Sequence, residues 1–112
     1  EEKKTTFDIA SCGMIGLESC FGAVNKVLCV DNNIKVEQVI DSLTVNPRKI
    51  MDFNGDLFSI DAEAEITVLD DKLGWEFSLK DIESKSINSP FIGKLLTGKV
   101  LHTISKNVLA SI

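Results

Sequence analysis

The chain reads as an α+β protein. Three observations predict this. Up to residue 52, apolar residues recur at three- and four-residue steps. After Leu57 they alternate with polar ones. Between the last strands and the rest lies a loop that is too apolar to hang in water, Glu83 to Val100. Helices come first and strands after, an order that fits an α+β fold or the seam between two domains.

Residues 1–11 read as an exposed segment; Glu1-Glu-Lys-Lys-Thr-Thr6 is polar and has no initiator Met, which suggests a mature fragment or an excised piece of a longer chain. Met14, Leu17, Phe21, Val24 and Leu28 then form one stripe, with Cys20 and Val27 beside it, predicting an amphipathic helix from Met14 to Cys29. Gly16 and Gly22 each cost that helix ~1 kcal/mol against Ala, so close packing against a neighbour is expected there. Asp31-Asn32-Asn33 stops it. Val36, Val39, Ile40 and Leu43 predict a second helix. Asn46 is placed to cap a third, with Pro47 at its first position, running to Asp52 and ended by Asn54-Gly55.

Strand patterning follows. Ala64, Ile66 and Val68 alternate with Glu65, Thr67 and Leu69. Trp75, Phe77 and Leu79 alternate with Glu76, Ser78 and Lys80, and Asp70 to Gly74 is the expected turn between two strands. In the stretch Glu83 to Val100, Pro90 removes a donor and Asn88, Ser89, Gly93 and Gly98 are turn residues, while Ile87, Phe91, Ile92, Leu95 and Leu96 are apolar. An ordered loop pinned by those apolar residues is predicted. Val100 to Ser105 and Val108 to Ile112 form a hairpin around Lys106-Asn107.

The totals exclude some functions. The composition, 44% hydrophobic and 26% charged, is that of a soluble domain, with no apolar run near the ~20 residues of a membrane span. A net charge of -5 argues against nucleic acid as a partner. The charge is uneven: seven acids and no base lie from Asp52 to Asp71, and four lysines and no acid from Ser84 onward, reading as solvated faces. Cys12, Cys20 and Cys29 include no C-x-x-C pair. On one helix, Cys20 and Cys29 would be ~13 Å apart and unable to bridge, so reduced thiols are expected.

No self-sufficient active site is visible. Asp52, Asn54, Asp56 and Glu63 match the oxygen-ligand positions of a calcium loop. However, Leu57 stands where that loop needs Gly, and a strand follows rather than a helix, so a helix-to-strand turn is the preferred reading and a calcium-binding module a lesser one. His102 is the only histidine, and a catalytic zinc site needs about three protein ligands. Glu63 and Glu65 read as surface residues rather than an acid/base pair. No glycine-rich phosphate loop is present.

Two segments carry a family resemblance: Gly13-Met-Ile-Gly-Leu-Glu-Ser19 and Glu83-Ser-Lys-Ser-Ile-Asn-Ser-Pro-Phe-Ile-Gly93. Together with Thr44-Val-Asn-Pro-Arg-Lys-Ile50, Phe58 to Asp70 and the hairpin at Gly98, Val100, Thr103 and Ile104, they resemble dihydroorotases of the amidohydrolase superfamily, in order along essentially all 112 residues. The resemblance implies that residues 1–55 are the C-terminal end of a (β/α)8 TIM barrel, comprising its last helix and linking helices. Residues 56–112 would then be strands of a small β-sandwich. It also implies a cytoplasmic, zinc-dependent parent enzyme of pyrimidine biosynthesis that interconverts dihydroorotate and carbamoyl-aspartate, forms a homo-oligomer and has aspartate carbamoyltransferase as a possible partner. The family's metal ligands and catalytic aspartate lie upstream of anything in this chain, so neither catalytic nor metal residues are expected here. One role carries over: main-chain groups of the pair Cys12-Gly13 bind substrate, with Cys12 replacing the usual Phe. Asp61 and Asn107 replace a turn Gly and a hairpin Gly, and Glu65 an Asp. These departures leave room for a catalytically inactive relative that acts as a scaffold for a partner enzyme.

Overall fold

The structure is a computed structural model that describes residues 4, 6, 8, 13–53 and 58–111. Its elements are α1 (Cys20–Asn25), which continues as a π-helical turn over Lys26–Asp31, then α2 (Val36–Leu43), α3 (Val45–Ile50), β1 (Ile66–Glu76), a 3-10 turn at Leu79–Asp81, β2 (Leu95–Ser105) and β3 (Val108–Ser111). The strands form one antiparallel sheet in the order β1-β2-β3. The α+β reading therefore holds.

The first helix is shorter than its periodicity predicts. Ile15 N–H donates to the carbonyl of Asn88 (3.0 Å), and residues 13–16 are neither helix nor strand. Gly13 and Gly16 offer little resistance to this, because glycine is a poor helix former. Helix begins only at Cys20, leaving Met14 and Leu17 outside it and exposed. Its far end widens to the π form, and the Asn32 amide donates to the Val27 carbonyl there. Cys20 and Cys29 are free.

Helix α2 spans the predicted stripe from Val36 to Leu43, anchored by Val39, only 1% exposed. Helix α3 starts two residues before the expected Pro47. Thr44 N–H still donates to Ile40, so the chain turns out of α2 and straight into α3. Pro47 then sits at the third helical position, where its missing N–H is one that the first turn leaves unbonded in any case. Asn46 does not cap.

The predicted turn at Asp70–Gly74 is a bulge inside one strand. Asp70 pairs with Lys99 and Gly74 with Thr97, so Asp71, Lys72 and Leu73 stand opposite Gly98 alone. The Asp70 carboxylate accepts the N–H groups of Lys72 (2.8 Å) and Leu73 (3.1 Å). The turn chemistry was therefore correctly placed, but the chain resumes pairing with the same partner instead of reversing. At the other end of the sheet, Lys106 and Asn107 both take positive φ (49° and 63°), the two-residue hairpin geometry expected there.

Helix α1 lies on β2 at that bulge. A Cβ on Gly22 would come within 2.8 Å of the Gly98 carbonyl oxygen, and one on Gly98 within 2.7 Å of the Phe21 ring. The close packing expected of Gly22 is thus real, whereas Gly16 has open space beside it. Asn25, nearly inaccessible, sends its amide to the carbonyls of Asp71 (2.8 Å) and Thr97 (2.9 Å), pairing groups that the bulge takes out of the ladder. Trp75 Nε1 donates to the Gly98 carbonyl (2.9 Å), and the Trp75 and Phe77 rings meet edge to face at 5.7 Å.

Among the described residues the buried apolar side chains are Phe21, Val39, Phe77 and Leu96. The radius of gyration is 16.3 Å, against about 13 Å for a compact domain of this length. No helix among the described residues is long and apolar enough to cross a membrane.

Candidate functional site

Of the predicted loop, Glu83 to Val100, Leu95 to Val100 belong to strand β2, and residues 83–94 remain loop, held more by polar bonds than by apolar contacts. Ile87 and Leu95 point into solvent, and only Leu96 is buried. At its far end Gly93 N–H donates to the Phe77 carbonyl (2.7 Å) and Phe77 N–H to that of Lys94 (3.0 Å). At its near end it straps the segment before α1 at two points. Ser84 donates to Glu18 Oε1 through both N–H (2.8 Å) and hydroxyl (2.6 Å). Asn88 Nδ2 donates to the Gly13 carbonyl (2.7 Å), and Asn88's own carbonyl accepts from Ile15. Ser86 and Ser89 hydroxyls accept the N–H groups of Asn88 and Phe91, turning the loop between these anchors.

Of the predicted substrate pair, Gly13 is therefore an exposed residue whose carbonyl is held by Asn88, while Cys12 lies outside the described residues. No atom of the described residues beyond its chain neighbours lies within 4 Å of where a Gly13 Cβ would stand.

Beneath the strap, Leu17, Glu18, Trp75, Asp81, Lys99 and Val100 line a mostly apolar cleft of about 350 Å³. Lys99 Nζ lies 3.6 Å from Asp81 and 4.7 Å from the centre of the Trp75 ring, an ion pair combined with a cation–π contact. The Ser84 hydroxyl, with nearby backbone N–H groups, holds the Glu18 carboxyl below its ordinary range. Burial pushes Asp81 up, but hydrogen bonds from Ser78 and the Lys99 charge outweigh it, and Asp81 also lies low. Neither carboxyl is poised to exchange protons near neutral pH, as a general acid or base must be. Both act as fixed acceptors that lock loops in place.

The other candidates stay apart. His102 Nδ1 lies 3.0 Å from Ser111 Oγ across β2 and β3, and Glu65 takes the Ser105 hydroxyl (3.2 Å). Among the described residues no group of three or more His, Cys, Asp or Glu is arranged to hold a metal ion, so these residues do not fit a zinc centre. Asn54 to Leu57 of the calcium-like motif lie outside the described residues. Asp61 has φ of 67°, so it keeps the left-handed turn of the Gly it replaces in the resemblance, and Asn107 does the same.

Sequence reasoning missed the clamp itself. Ser84 and Asn88 fall in a recognisable motif, but their partners are 66 and 75 residues away, and no periodicity links the two segments.

No protein-family model matches the chain. Curated dihydroorotases do. That of Elusimicrobium minutum is 36% identical over 102 residues, covering 91% of this chain and 24% of the relative. Those of Caldicellulosiruptor saccharolyticus and Chlorobaculum tepidum are 35% and 38% identical over 100 residues, each covering 89% of this chain and 23% of the relative. The chain thus spans about a quarter of the length of the curated relatives it matches. With such identity sustained over nine tenths of its residues, it is a stretch of dihydroorotase-family sequence.

Proposed function

We propose that this stretch is the C-terminal part of a dihydroorotase, which adds water across the cyclic amide of dihydroorotate to give carbamoyl-aspartate and runs the reverse ring closure. Residues 1–55 would supply the last barrel helix and linking helices, and residues 56–112 strands of the satellite β-sandwich. The observation that carries the reading is the similarity to dihydroorotases along nine tenths of the chain. The metal centre, zinc in this reading, and the proton-shuttling aspartate belong to residues outside the stretch. What the stretch contributes is a backbone contact to substrate at Cys12 and Gly13, held in place by the strap that joins Gly13 to Asn88. The parent is a cytoplasmic homo-oligomer in this reading, with aspartate carbamoyltransferase as a candidate partner.

The test is to express the full-length protein, strip it with a chelator, restore zinc, and follow dihydroorotate hydrolysis. Zinc-restored turnover is expected. A folded, zinc-loaded protein without turnover would turn the assignment towards an inactive scaffold.

A further inference from the structure

We infer that Asn88 is a positioning residue, one that sets the orientation of the Gly13 backbone and so the affinity for substrate. The inference rests on the proposed role of the Gly13 main chain. Its observations are separate from that role. Residues 13–16 belong to no helix or strand, and Gly13 is exposed, with none of the described residues packed against its Cβ position. A peptide plane in that setting rotates freely unless something holds its carbonyl. The Asn88 amide does so at 2.7 Å, and the return bond from Ile15 N–H to the Asn88 carbonyl makes the contact two-sided. Ser84 on Glu18 fixes the other end of the same segment, so the strap spans Gly13 to Glu18. A hydrogen bond between an exposed side chain and an irregular segment 75 residues away adds little to a core. It does fix the direction of the adjoining main-chain groups. Asn88 touches no substrate in this scheme and acts only through Gly13.

Chemistry supplies a sharp variant. Asn88→Asp has nearly the same shape, but an ionised carboxylate accepts hydrogen bonds and donates none. It would face the Gly13 carbonyl oxygen with another acceptor. In the full-length enzyme this variant should raise KM for dihydroorotate about tenfold and leave kcat within about twofold, the signature of lost uniform binding. Deuterium exchange of the peptide covering residues 13–18 should quicken, with the melting temperature unchanged. Asn88→Gln, which retains the amide donor, should recover part of the affinity. If the Asp variant fails to fold, Asn88→Ala takes its place with the same expected split. An active wild type whose variant keeps its KM, or loses kcat instead, overturns this inference alone. An inactive wild type brings down the proposed function first, and this inference with it.

Discussion

Replacing Gly98 by alanine should cost about 3 kcal/mol or more, and the structure separates the cost into two parts. The first is conformational. Gly98 has φ of 95°, where an L-residue pays about 1–2 kcal/mol. The second is steric. The new Cβ would stand 2.7 Å from Phe21 Cε1 and 2.8 Å from Asn25 Nδ2, so α1 must move off the strand, at about 1–3 kcal/mol. Gly93 is the control. Its φ is 75°, but nothing lies within 4 Å of a Cβ there, so Gly93→Ala carries only the conformational part. Equilibrium urea unfolding can follow both variants through Trp75, the single tryptophan, which bonds the Gly98 carbonyl. With a slope of roughly 1.5 kcal/mol per molar, the Gly98 variant should lose about 2 M of midpoint or its folded baseline, and the Gly93 variant about 1 M or less. Equal midpoints for the two variants would refute the packing account of α1 on β2.

Asn25→Ala should cost about 2–3 kcal/mol in the same assay, because the Asp71 and Thr97 carbonyls lose their donor; a loss below about 0.5 kcal/mol would mean that water replaces the amide freely. Glu18 and Asp81 have lowered pKa values in the fold, so the stability they contribute is complete above the ordinary carboxylate range near pH ~4 and disappears as pH falls through their folded values. Glu18→Gln and Asp81→Asn should each flatten the acid limb of melting temperature against pH, and an unchanged limb would contradict the hydrogen-bonding pattern. Lys106→Asn should add several tenths of a kcal/mol by easing a residue with φ of 49°, read as a higher melting temperature. Asn107→Gly should gain less than turn propensity suggests, because Asn107 Oδ1 also accepts from Ala64 N–H.

The sequence revealed some parts of the fold and hid others for physical reasons. Helix α2 and the Lys106-Asn107 hairpin are local, since their stripe and turn chemistry are written in neighbouring residues, and both appear where predicted. The start of α1 is hidden because its periodicity runs on through Met14 and Leu17, while Gly13 and Gly16, poor helix formers, interrupt that turn and the segment is tied to Asn88 instead. Asp70 to Gly74 was read as a turn because a bulge and a hairpin turn use the same residues, and only pairing with Lys99 and Thr97 on either side of Gly98 distinguishes them. The candidate site fared likewise. Its motif was visible, but the partners of Ser84 and Asn88 lie across the fold.

The exposed surface supports the same assignment from a different direction. Strand β2 covers Phe21 on the apolar face of α1. Leu17, Ile50, Phe58 and Ile60 are each more than four fifths exposed and are spread over loops and α3. A partner met only occasionally does not require apolar groups spread over several elements; a body to which the chain is permanently joined does. The matched relatives are about four times the length of the chain, which is ample for such a body. Expressed alone, the chain should therefore self-associate in sedimentation runs, and a stable monomer at high concentration would count against a permanent neighbour. Within such a body the strap from Asn88 to Gly13 would have a clear purpose: it would join the β part of this stretch to the backbone segment proposed to meet the substrate.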